Sequence, residues 1–140
     1  TENVSAIVGM TLAAELAYKD LDQRKAIVLA LKEELKIKLL EAFPAIKFNG
    51  SQGEDSLYTL LNVSFPPSKS REMLPFALDL KGIAVSAGSA CSSGSTSFSH
   101  VLRAIGSRDD WPAIRFSLSH LNNSVEIDRL ILALKEILSK

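Results

Sequence analysis

The run SAGSACSSGSTSFSH, residues 86–100, holds the only cysteine of the chain, Cys91, among Ser, Gly, Ala and Thr. A structural cysteine ordinarily sits among large aliphatic residues, where it behaves as a small hydrophobe, and nothing of that kind stands beside Cys91. Gly88 and Gly94 flank it and permit backbone angles closed to other residues. A thiol on a small, polar loop can be reached by another molecule, which points to a nucleophile. Nucleophilicity requires a lowered pKa, and no neighbour in the sequence guarantees one, so a loop cysteine without function stays open as the alternative. His100 is either a base for such a thiol or a surface histidine at a helix start.

Arg115 is the second candidate. It lies in AIRFSLS, where Ile114, Phe116 and Leu118 alternate with Arg115, Ser117 and Ser119. An arginine held on a strand presents a planar fork to a carboxylate and makes two charge-assisted hydrogen bonds. A surface arginine at the end of an edge strand has the same spacing, and spacing alone favours that plainer reading. GSACSSG is also glycine- and serine-rich enough to cradle a phosphate, but it matches neither GxxxxGK[ST] nor GxGxxG. His120 reads as a helix-entry residue.

The elements that must position these residues follow from periodicity. Val4, Ile7, Val8, Thr11, Leu12 and Leu16 have helical spacing over residues 3–19. Ile27, Val28, Leu31, Leu35 and Leu39 have it over 20–42, with a break at Asp20 or Asp22 and a stop at Pro44. IKFNG predicts a short strand, and LYTLLNVSF a second one with Leu57, Thr59, Leu61, Val63 and Phe65 on one face. After the turn PPSKS, Ser70 is a candidate N-cap for a helix REMLPFALDL, closed by Gly82. IAVSA predicts a third strand leading into the cysteine loop, SHVLRAI a short helix ending at Gly106, and AIRFSLS a fourth strand. Asn123 and Glu126 form a capping-box pattern before a helix whose Ile127, Leu130, Ile131, Leu134, Ile137 and Leu138 make one apolar stripe. The fold class expected is α/β mixed, a short sheet of about four strands covered by helices.

Composition bounds the rest. One hundred and forty residues are enough for one hydrophobic core. Sixteen basic residues balance sixteen acidic ones, so no overall field exists to gather nucleic acid or an anionic membrane. The charge run KEELKIK at 32–38 reads as the solvated face of a helix. No stretch approaches the 18 to 20 or so apolar residues of a membrane span. One cysteine cannot form an internal disulfide, which favours a reducing, cytoplasmic setting, and no His/Cys cluster has metal-ligand spacing. The opening TENVSAIVGM, without an initiator Met, is expected to continue something that precedes it.

Taken together and in order, TENVSAIVG, LNVSF, GIAVSAGSACSSG, SHVLRAIG and AIRFSLS resemble the C-terminal portion of cysteine desulfurases, pyridoxal-phosphate enzymes of fold type I in the class V aminotransferase family. The resemblance covers essentially the whole chain. It implies an inter-domain helix region over residues 1–20 and a small domain over 21–140 that carries the cysteine loop. It implies that Cys91 takes sulfur from L-cysteine as a persulfide and leaves alanine, that Arg115 holds the substrate carboxylate, and that Thr1 reaches the phosphate of pyridoxal phosphate in the partner subunit of a homodimer. Sulfur would then pass to an acceptor or iron–sulfur scaffold protein. The family's His-Lys pair, whose lysine anchors the cofactor, is missing: His100 precedes Val101 and His120 precedes Leu121. These residues alone are therefore expected to be inactive. A non-catalytic interaction or dimerisation module, a selenocysteine lyase and another class V aminotransferase are the alternatives.

Overall fold

Two helices open the chain, joined at a single residue. α1 (Val4–Lys19) is capped by Asn3, whose side-chain oxygen accepts from the Ala6 N–H at 3.1 Å. α2 (Leu21–Ala42) follows directly after Asp20, the first of the two break points read from sequence, and stops short of Pro44. The computed structural model describes residues 1–53, 55–67, 73–87 and 99–138, and in it the two helices differ in burial. α1 buries nothing; its Leu16 is 51% and its Val8 61% exposed. α2 buries Val28, Leu31, Leu35 and Leu39, which lie three and four residues apart and so share one face.

The charge run in α2 is not the fully solvated face expected. Lys32 is only 5% exposed, and its ammonium donates to Ser56 Oγ at 3.2 Å and to the Leu57 carbonyl at 3.0 Å. Its aliphatic stem lies along the apolar face while the head reaches the turn. Burial, reinforced by the nearby Lys36 and opposed by Glu33, lowers the Lys32 pKa below its ordinary value. Leu35 within the run is buried as well, and the other charged residues are exposed or half-buried. Lys38 bridges Glu34 (2.7 Å) and Asp128 (2.5 Å) at the surface.

Three strands, β1 (Lys47–Asn49), β2 (Leu60–Ser64) and β3 (Ala113–Ser117), form an antiparallel sheet in the order β1-β2-β3. β2 begins three residues later than its alternating pattern, because the Leu57 carbonyl is taken by Lys32 and by the Leu60 N–H in a turn. IKFNG contributes only its middle three residues. The strand expected over 83–87 is absent. The Ile83 N–H finishes the preceding helix by donating to Leu78, and only Ser86 pairs with the sheet. The alternation there records burial without pairing: Ile83 and Val85 pack against the core.

α3 (Leu74–Asp79) holds Pro75 in its first turn, where a missing N–H costs nothing. It starts later than the predicted helix, and the candidate cap Ser70 lies outside the described residues. Gly82, at φ +71°, ends its C-terminal turn, a conformation open to glycine. α4 (His100–Ala104) ends the same way at Gly106, φ +79°. The predicted capping box of α5 (Ser124–Leu138) is formed reciprocally. The Glu126 N–H donates to Asn123 Oδ1 at 3.2 Å, and the Asn123 N–H to Glu126 Oε2 at 3.1 Å.

The core lies between one face of the sheet and the helices. Leu61, Val63, Ile114 and Phe116 supply the sheet side, Leu35 and Leu39 come from α2, and Ile127, Leu130 and Leu134 come from α5. Burying such side chains supplies about 1.5–3 kcal/mol each.

Leu134→Ala, at a fully buried position, is expected to cost about 2–5 kcal/mol in denaturant unfolding, while Leu16→Ala on α1 changes the unfolding free energy by less than about 0.5 kcal/mol. The Glu126 carboxyl is held below its usual range by hydrogen bonds from the Asn122 side chain and the Asn123 backbone. A depressed carboxyl contributes stability above its unfolded pKa and loses it as pH falls through the folded one. Glu126→Gln is therefore expected to lower the midpoint at neutral pH, and the difference from the parent chain should shrink in acid.

Candidate active site

Because side chains alternate along a strand, the face opposite the core carries β1 Lys47 and Asn49, β2 Asn62 and Ser64, and β3 Arg115 and Ser117. The register aligns Asn49 with Asn62 and Asn62 with Arg115. Ser86 extends this row, since it forms a bridge with Arg115 on the outer edge of β3. The bridge has two bonds: the Arg115 N–H donates to the Ser86 carbonyl at 2.7 Å, and the Ser86 N–H to the Arg115 carbonyl at 3.2 Å. Arg115 thus sits mid-strand, its backbone fixed and its side chain exposed. Among the described residues its guanidinium has no hydrogen bond or ion pair. β3 is an edge strand, but Arg115 stands at its middle rather than at its end, with its backbone held by Ser86.

The β1 and β2 members Asn49, Asn62 and Ser64 of this face are joined by hydrogen bonds. Asn49 Nδ2 donates to Asn62 Oδ1 at 2.6 Å and to Ser64 Oγ at 2.7 Å. Ser64, 1% exposed, is also 3.2 Å from Ser107 Oγ. The tight end of α4 makes that last contact possible, because Gly106 turns the chain so that Ser107 faces β2. None of these polar groups stood out as functional in the sequence. The available signal was the polar half of the alternation in LNVSF, where Asn62 and Ser64 fall opposite Leu61 and Val63.

A cleft of about 150 Å³ opens at this end, lined in part by Lys47, Asn49, Ser107, Arg108 and Trp111. The Lys47 ammonium lies 5.2 Å from the Trp111 ring centre, and Arg108 is forked onto Asp110 at 2.9 and 2.8 Å. Cofactor-sized pockets are about 300–1,000 Å³, so this cleft is too small for one.

The other predicted site residues are placed as follows. Thr1 is exposed ahead of α1, and among the described residues no hydrogen bond ties it to the sheet. His100 is exposed at the first position of α4, and His120 is exposed in a turn. Cys91 and its flanking glycines lie outside the described residues; the described chain reaches Ala87, one residue beyond the bridge to Arg115. No group of three or more His, Cys, Asp or Glu suited to a metal occurs among the described residues, and none of their helices is long and apolar enough to cross a membrane.

A family model described as "Aminotransferase class-V" matches residues 1–130, and the chain belongs to that family. Among its curated relatives are a cysteine desulfurase of Sinorhizobium fredii, 38% identical over 142 residues, and the cysteine desulfurase NifS of Azotobacter vinelandii, 36% identical over 137 residues. The first alignment takes in 100% of this chain and 36% of the relative, the second 94% and 33%. A solved NifS-like protein from Rickettsia africae superposes with a TM-score of 0.78 at 30% identity, covering 100% of this chain and 36% of its own. The chain spans about a third of the length of the relatives it matches, and the mixed helix and antiparallel-sheet fold is that of a part of this enzyme class.

If Ser86 fastens Arg115, Ser86→Pro, which removes the N–H that donates to the Arg115 carbonyl, should loosen the bridge and speed hydrogen exchange of the Arg115 amide about fivefold, as expected for loss of about 1 kcal/mol of hydrogen bonding.

Proposed function

We propose that the chain is the sulfur-accepting and carboxylate-binding part of a pyridoxal-phosphate-dependent cysteine desulfurase that converts L-cysteine to L-alanine. The observation that carries this reading is the Ser86–Arg115 bridge. It fastens the segment that leads to Cys91 against the strand that bears Arg115. Cys91 stands five positions beyond Ser86 in sequence, a span of at most ~18 Å between Cα atoms when extended. A carboxylate clamp and a nucleophile can therefore serve one substrate.

In this reading Arg115 takes the α-carboxylate of L-cysteine with its planar fork. The Cys91 thiolate attacks the substrate sulfur. An S–S bond forms, the substrate sulfur keeps its proton in the persulfide, the C–S bond breaks with its electron pair going to the carbon fragment, and that fragment takes up one proton and leaves as alanine. Small residues around Cys91 are suited to carrying the persulfide onward. The relatives named NifS and IscS support an iron–sulfur scaffold protein as the acceptor.

Pyridoxal phosphate is the electron sink that such chemistry needs. The described residues do not fit it as a site: the cleft is too small, Thr1 is a lone exposed hydroxyl, and the sequence has no His-Lys pair. The lysine that would anchor the cofactor is assigned outside these 140 residues. Thr1 is assigned to the phosphate of the cofactor held by the partner subunit of a homodimer. α1, buried nowhere, is assigned to the junction between the domains, with residues 21–140 as the small domain. A single cysteine favours a cytoplasmic setting.

The test uses the longest natural form of the chain with pyridoxal phosphate and L-cysteine. One added sulfur on the Cys91 peptide by mass spectrometry, with alanine released and both lost in Cys91→Ser, is the expected result. Arg115→Ala should lower kcat/KM about 10- to 100-fold, the value of hydrogen bonds to a charged group. Alanine released without sulfur on Cys91 would make the protein a related lyase. Neither product would leave an interaction module. The 140 residues alone should turn over no cysteine.

A further inference from the structure

Two groups on the open face of the sheet that can only donate hydrogen bonds stand side by side, with no acceptor among the described residues. Arg115 spends its backbone N–H and carbonyl on Ser86. Its pairing with Asn62 across β2 is therefore of the non-hydrogen-bonded kind, in which the Cα atoms approach to about 4.5 Å and the side chains lie closest. Asn62 is half-buried, and its Oδ1 is taken by Asn49 Nδ2 at 2.6 Å. With the oxygen turned toward β1, the amide NH₂ is the end left for the β3 side, where Arg115 stands. Among the described residues that NH₂ has no hydrogen-bond partner, and neither does the guanidinium.

We propose that Asn62 is a second substrate-binding residue, whose amide NH₂ donates to the same carboxylate that the Arg115 fork holds. This deepens the carboxylate reading of Arg115 and rests on it. Two neighbouring groups that only donate call for a ligand that only accepts, and a carboxylate with two oxygens meets both. A cation or an amine-bearing group would meet neither. The amide is also set in advance. Asn49 is tied to the buried Ser64, which is in turn bonded to Ser107, so Asn62 has little rotational freedom left to lose on binding. Neutrality matters at this position: an aspartate here would pair with Arg115 and fill the site from within.

The test titrates the longest natural form of the chain, with pyridoxal phosphate present, with L-alanine, the proposed product, and follows the Asn62 side-chain amide and the Arg115 Nε–H by nuclear magnetic resonance. Both signals are expected to move with one saturation curve, and neither should respond to ethylamine, which lacks the carboxylate. Asn62→Leu should weaken alanine binding three- to tenfold, and Asn62→Asp should abolish it. If Arg115 responds while Asn62 does not, or if Asn62→Leu binds alanine as tightly as the parent chain, the role of Asn62 is overturned and the carboxylate role of Arg115 stands. If neither signal moves, both readings fall. Should Asn62→Leu not fold, the titration of the parent chain alone decides.

Discussion

The pairing of Leu61 with Phe116 and of Val63 with Ile114 is the constraint on which the rest of the structure depends. These four side chains are buried against α2 and α5, and their burial fixes the register of β2 on β3. A slip of β2 by one residue would turn Leu61 and Val63 to the other face, at a cost of several kcal/mol. The same register leaves no choice on the other face. It sets Asn62 between Asn49 and Arg115, so the chemistry of the open face is aligned by apolar contacts on the covered one.

The polar face is arranged from its edges inward. At one edge Gly82 releases the chain from α3, and Ser86 fastens it against Arg115. At the other, Gly106 ends α4 and brings Ser107 to Ser64. Buried Ser64 would be costly without partners; with Asn49 and Ser107 it is satisfied and stiffens the row. The guanidinium is the exception, an exposed charge on a fixed backbone with no partner among the described residues. A strand that holds a side chain in place and leaves its donors open is suited to binding.

Away from the sheet, α1 and α2 show how similar helical patterns meet different fates. Both carry apolar residues at three- and four-residue spacing, but only α2 has a sheet and α5 to cover it. Large apolar residues exposed along a whole helix mark a surface that ordinarily meets another one. This agrees with a chain that corresponds to about a third of its relatives' length. Lys32 shows the converse: a charge within an ordinary solvent-facing run is drawn inward because the 56–57 turn offers it two oxygens.

By itself the sequence determined the elements whose signals are local. The break at Asp20, the stop before Pro44, the glycine ends of α3 and α4, the Asn123–Glu126 capping box and the two faces of β3 all depend on residues within a few positions of one another, and all are present. Cys91 and Arg115 were legible as candidates because residue type and alternation are also local, and the family was legible from motifs in order. Only the tertiary structure decided which alternating segments pair. IAVSA alternates as well as AIRFSLS, yet it meets the sheet at Ser86 alone, because its first N–H finishes a helix. Likewise, the burial of Lys32, the exposure of α1 and the alignment of Asn49, Asn62 and Arg115 depend on residues tens of positions apart. Hydrophobic periodicity records that a face is covered; which distant chain covers it, and which polar groups thereby become neighbours, is settled only by the register of the folded sheet.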